Sequence, residues 1–156
     1  MLFSTFSIVL LFGLVERPSE AANTTPHTAT KVIATSLILS QLRNHLKAAI
    51  EKSGMYVLTS ESAGAGAKRR GIDVPGNLVL YLYRNDFAVR MLNASMPSSI
   101  EAPLRFYVTE QAEGTSTLTY RKPSAGFGAC CSANLDKMLA ELDTIWAKVV
   151  TGTISK

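Results

Sequence analysis

Six consecutive residues, Leu78-Val-Leu-Tyr-Leu-Tyr83, constrain this chain more than any other stretch. They are continuously apolar or aromatic and follow the turn chemistry of Ile72-Asp-Val-Pro-Gly-Asn77. A run of that kind predicts a central strand of a sheet. With 156 residues, 47% apolar and 18% charged, the chain suits one packed domain. It has no room for a substrate domain beside a full dinucleotide-binding domain.

The flanking segments alternate between strand and helix patterns. Lys31 to Thr35 is a short β-branched run suited to a strand, and Ser36 and Ser40 are candidate caps for a helix ending near Lys52. Leu42, Leu46, Ala49 and Ile50 recur at helical steps there, and Gly54 is the natural stop. Met55 to Thr59 predicts a second strand, and Ser62 to Gly71 a short helix or turn. The latter ends in Lys68-Arg-Arg70, where a helix dipole favours positive charge. Asp86 to Ala94 carries Phe87, Met91 and Leu92 on a helix that Pro97 ends. Pro103 to Glu110 and Thr115 to Arg121 flank Gln111-Ala-Glu-Gly114 as a β-hairpin. Finally, Ser132 or Asn134 caps a helix through about Val150. Its stripe of Leu135, Met138, Leu139, Leu142, Ile145 and Trp146 reads as core rather than as a cofactor box. This order predicts one α+β domain over residues 31–152, a two-layer arrangement of a mixed sheet with helices packed mainly on one face.

The first residues read as an address. Leu2 to Val15 is apolar apart from Ser4, Thr5, Ser7 and Gly13, and is shorter than the roughly 20 residues a membrane span needs. No Lys or Arg precedes it, so the amino terminus alone supplies positive charge there. Ser19 and Ala21 stand three and one residues before a cut that would leave Ala22 first. The expectation is a signal peptide over residues 1–21, a flexible lead-in over residues 22–30, and a periplasmic or secreted protein with no stable membrane span after cleavage. Losing Glu16, Arg17 and Glu20 with the leader raises the net charge from +4 to +5. That charge is too small and too dispersed to indicate a nucleic-acid partner.

The only two cysteines, Cys130 and Cys131, are adjacent, a spacing at which the geometry of an ordinary disulfide is rarely met. Outside the cytosol this leaves a strained vicinal bridge, an intermolecular bond, free thiols, or a thiolate pair for a soft metal. His27 and His45 lack a spaced partner that would complete a metal site.

No nucleophile elbow, motif-borne carboxylate pair or His beside a nucleophile appears, so the sequence names no reaction and no cofactor. Gly64 and Gly66 complete neither phosphate-binding fingerprint. Arg84, Arg105, Arg121 and Lys122 lie at or near strand segments and would collect an anion if they converged. Solvated charges guarding sheet edges explain the same residues with fewer assumptions. Asn85 follows the strongest strand and either stabilises a turn or faces a cleft.

From Leu46 through Pro123 the chain resembles the DUF302 family, also called TT1751-like. The resemblance is carried by the helix running through Gly54 into a strand, the Ala- and Gly-containing segment before Arg70-Gly-Ile-Asp-Val-Pro75, and the strand Leu78 to Tyr83. Ala102-Pro-Leu-Arg105 and Leu118-Thr-Tyr-Arg-Lys-Pro123 complete it. That family commonly has a Gly-Asn-Pro turn after its central strand, whereas this chain has Arg84-Asn-Asp86, so only the Asn carries over. The resemblance implies an α and β fold suited to pairing as a homodimer, and supplies no reaction. The functional expectation is an exported, non-catalytic domain that binds a small anionic ligand or a protein partner, with Arg84, Asn85, Arg105 and Tyr120 as its surface. The alternative is a redox or soft-metal protein using Cys130 and Cys131.

Overall fold

The computed structural model of the chain describes residues 25–127 and 132–155. Strand β3 (Asn77–Tyr83) is hydrogen-bonded on both sides, to β2 (Tyr56–Glu61) and to β4 (Leu104–Glu110). With β1 (Thr30–Thr35) and β5 (Ser116–Arg121) these make a five-stranded sheet in the order β1-β5-β4-β3-β2. The expected two-layer α+β arrangement is present, and every neighbouring pair of strands is antiparallel. Strands β2 to β5 form a meander, and β1 closes beside β5, so the two edges are β1 and β2.

The two-residue period of each strand divides the sheet into unlike faces. Leu80 and Leu82 of β3, Phe106 and Val108 of β4, and Leu118 of β5 are buried in the core. Between them Val79, Tyr81, Arg105, Tyr107 and Thr119 turn to the other face and remain half-buried or exposed. The continuous apolarity of Leu78 to Tyr83 therefore reflects one buried face and one tyrosine-bearing open face, not a strand buried twice.

Helices α1 (Leu39–Lys52) and α5 (Ala133–Ile154) cover the apolar face. Leu42, Leu46 and Ile50 are fully buried on α1, which ends at Gly54, where φ is +77° and a side chain would be strained. Neither Ser36 nor Ser40 caps α1. The N-cap position is Ile38, whose backbone N–H donates to Gln41 Oε1 at 3.4 Å, so a side chain inside the first turn reaches back to cap the helix. Ser132 does cap α5, accepting from the Leu135 N–H at 3.4 Å. The helix runs a turn past Val150, and Trp146, Val149 and Val150 extend its buried stripe. Trp146 stacks on Phe106 with ring centroids 5.3 Å apart, and Phe106 meets Tyr120 at 5.5 Å. This stack joins the longest helix to the middle of the sheet.

Shorter elements fill the connections: α2 (Ala63–Lys68) capped by Ser62, α3 (Asn85–Ala94), a 3-10 turn over Met96–Glu101, and α4 (Pro123–Gly126), which no periodicity announced. On α3 Phe87 and Met91 are buried, but Leu92 is 40% exposed and falls outside the core stripe. Gly76 is closely approached, since a Cβ there would stand 2.6 Å from Leu39 Cδ2 and 2.8 Å from Glu110 Oε2, and those side-chain ends would have to shift to admit one. Truncating the central ring, Phe106→Ala, removes the stack and opens a cavity. Urea unfolding should show a loss of about 3–5 kcal/mol, the range for buried Phe→Ala changes.

Candidate functional site

The hairpin β4–β5 turns through Gln111 to Thr115, where the Gln111 N–H donates to the Thr115 carbonyl at 2.8 Å. That closure sets Phe106 opposite Tyr120. The next residues outward, Arg105 and Arg121, then face each other on the open side of the sheet. Arg105 is in register with Tyr81 of β3 and Arg121 with Thr30 of β1, which makes a cross-strand row of Thr30, Arg121, Arg105 and Tyr81. A recess of about 260 Å³ lies over this row. Arg105, Arg121 and Lys122 supply its cations, Glu101 its one carboxylate, and Thr30, Thr119 and Tyr107 its hydroxyls.

Like charges opposite each other on antiparallel strands repel. Among the described residues neither Arg105, Arg121 nor Lys122 belongs to an ion pair. Arg121 Nη2 lies 3.2 Å from His27 Nδ1, a contact that leaves the guanidinium charge uncompensated. Tyr120 also lines the recess, although its ring packs on Phe106. Burial, reinforced by the charge of Asp143, raises its pKa above the usual phenol value, so it stays a neutral hydroxyl.

A family model described as "Domain of unknown function DUF302" matches residues 30–151. The chain belongs to the DUF302 family. Its structure is similar to one described as "Crystal structure of uncharacterized conserved protein DUF302 from Bacillus stearothermophilus", with a TM-score of 0.72 and 18% identity. That alignment covers 81% of this chain and 98% of the other, and establishes a common fold. No curated protein matches the chain.

Two of the four residues singled out from the sequence of this DUF302 domain come together, and two do not. Arg105 and Tyr120 line the recess. Arg84 and Asn85 are not among its lining residues, because Arg84 lies three positions beyond Tyr81, roughly 10 Å further along the strand direction. Arg84 is also engaged locally: its Nε and Nη2 donate to the Asp86 carboxylate at 2.8 and 3.0 Å, and its guanidinium lies 4.2 Å from the centroid of the Phe87 ring. Asn85 accepts from the Tyr83 hydroxyl at 3.0 Å, which is turn chemistry. Thr30, Glu101 and Thr119 were missed, yet the hairpin register that brings Arg121 to Arg105 was available from the length of the loop. Cys130 and Cys131 lie outside the described residues. Among the described residues no three His, Cys, Asp or Glu side chains gather into a metal-sized cluster.

The two ion pairs of the described residues are Arg84–Asp86 and Arg90–Glu141, and the second ties α3 to α5 through two hydrogen bonds of 2.7 and 2.9 Å. Hydrogen bonding to Arg90 first, and its charge second, hold the Glu141 carboxyl below its ordinary value of 4.5. A carboxyl depressed in the folded state stabilises above its unfolded pKa, and the contribution is lost as pH falls through the folded value. The variant Glu141→Gln should therefore melt below the wild type at neutral pH, and the two melting curves should converge on acidification below about pH 4.5. A thermal-unfolding series from neutral to acid pH measures the convergence.

Proposed function

We propose that this DUF302 domain is a non-catalytic binder of a small anion, held on the open face of its sheet by Arg105 and Arg121. The observation that carries this reading is that Arg105 and Arg121, one step beyond the Phe106–Tyr120 pair on neighbouring strands, line one recess with no carboxylate paired to either among the described residues. Edge protection does not account for them, because β4 and β5 are both interior strands. An anion between the two forks would relieve their repulsion and accept charge-assisted hydrogen bonds from both. Lys122 adds a third cation, and the hydroxyls of Thr30, Thr119 and Tyr107 offer neutral donors at the same recess. A space of about 260 Å³ lies just below the usual range for ligand pockets, which favours a compact carboxylate or phosphate over a large cofactor.

Thermal shift with phosphate, sulfate and citrate at constant ionic strength tests the reading. A stabilising anion at a hundred times its Kd should add about 2.7 kcal/mol to the wild type. In Arg105→Gln the gain should vanish, while the unliganded variant, relieved of like-charge repulsion, should be as stable as the wild type or more so. Equal stabilisation of both proteins, or of neither, overturns the proposal.

We also propose that the domain works outside the cytosol. The apolar run Leu2 to Val15 and the small residues Ser19 and Ala21 support this. Intact mass of the protein from its native source should correspond to a chain starting at Ala22. Retention of residues 1–21 in the native protein would remove the basis for export.

A further inference from the structure

We infer that the groove between α1 and α5 is a docking site for an acidic segment of a partner protein. The inference is independent of the anion recess, with which the groove shares no lining residue. Helices α1 and α5 approach closely where Gly152 meets Ala49, since a Cβ on Gly152 would lie 3.6 Å from the Ala49 Cβ. Around this point Ala48, Ala49, Ala147 and Gly152 are too small to fill the space between the helices. What remains is a groove of about 980 Å³, far larger than the recess and large beside a single phosphate or carboxylate.

The charge around the groove has one sign. Lys52, Arg84 and Lys148 line it, and no Asp or Glu does. Asp86 already neutralises Arg84, but Lys52 and Lys148 take part in no ion pair among the described residues. Lys52 sits in the last turn of α1, where the helix dipole favours a cation. Lys148 lies well inside α5 and has no such role. The acidic residues of α5, namely Asp136, Glu141 and Asp143, all precede the groove, and none occurs from Thr144 to Lys156. An apolar floor under two unpaired ammonium groups complements a segment that places short aliphatic side chains inward and carboxylates over Lys52 and Lys148. A second copy of this chain fits less well, since its most closely spaced acidic pair, Glu141 and Asp143, is already engaged by Arg90 and Ser124.

Fluorescence anisotropy with a short fluorescein-labelled peptide of alternating Glu, Ala and Leu tests the docking, with a Lys, Ala and Leu peptide as control. The acidic peptide should bind saturably. Combining Lys52→Glu with Lys148→Glu should weaken it by about tenfold or more. Ala147→Trp, at an exposed position, should abolish binding by filling the groove while the cations remain. Circular dichroism checks that both variants keep the fold. Arg105→Gln should bind the peptide like the wild type, so failure here and failure of the anion proposal are read separately. Wild-type affinity in the double charge reversal or in Ala147→Trp overturns the inference, as does equal binding of the basic peptide. Tighter association with vesicles of phosphatidylcholine and phosphatidylglycerol than with the peptide also overturns it, in favour of a membrane surface.

Discussion

The register of β4 against β5 is the constraint on which the rest of the molecule depends. Phe106 and Tyr120 are opposite on the core face, and that same pairing forces Arg105 and Arg121 together on the other. A slip of one residue would exchange the faces and carry arginines into the core. Burying a side chain such as Phe106, Val108 or Leu118 stabilises by about 1.5–3 kcal/mol each, whereas opposed like charges cost on the order of 1 kcal/mol or less. Core burial therefore dictates the register, and the repulsion on the open face is its tolerated consequence. The candidate anion site arises as the reverse side of the hydrophobic core.

The same two-sidedness explains which features could be read from the letters. The apolar stripes of α1 and α5 were legible because helical spacing of Leu42, Leu46 and Ile50, and of Leu135, Met138, Leu142 and Trp146, has no reading as a strand. The hairpin was legible from a polar loop ending at Gly114, whose φ is +79°. The cap of α1 was not, because two serines near the right place suggest capping, while the chain uses Gln41 from within the helix. Helix α4 is a single turn and is too short to show a period.

The candidate site was half legible for a related reason. Arg84 and Asn85 attract notice by following the strongest strand, but sequence proximity to a strand end does not measure position across a sheet. Register does, and it selects Arg121 over Arg84. The side chains differ in the same sense: Arg84 is engaged by Asp86 and Phe87, whereas Arg105 and Arg121 have no carboxylate partner among the described residues.

Agreement with the Bacillus structure at 18% identity and a TM-score of 0.72 shows how little of the fold depends on particular side chains. What must persist is pattern: alternating apolar residues on β3 to β5, a helix stripe to cover them, and space for the ring of Trp146 on Phe106. The fold places no such demand on the open face or on the outer surface between α1 and α5. Side chains there are free to vary without loss of the core, so the fold alone does not account for the arginine pair or the alanine-lined groove. The domain is best understood as one scaffold carrying two surfaces, a hydroxyl- and guanidinium-lined recess on the sheet and a lysine-rimmed groove on the helices.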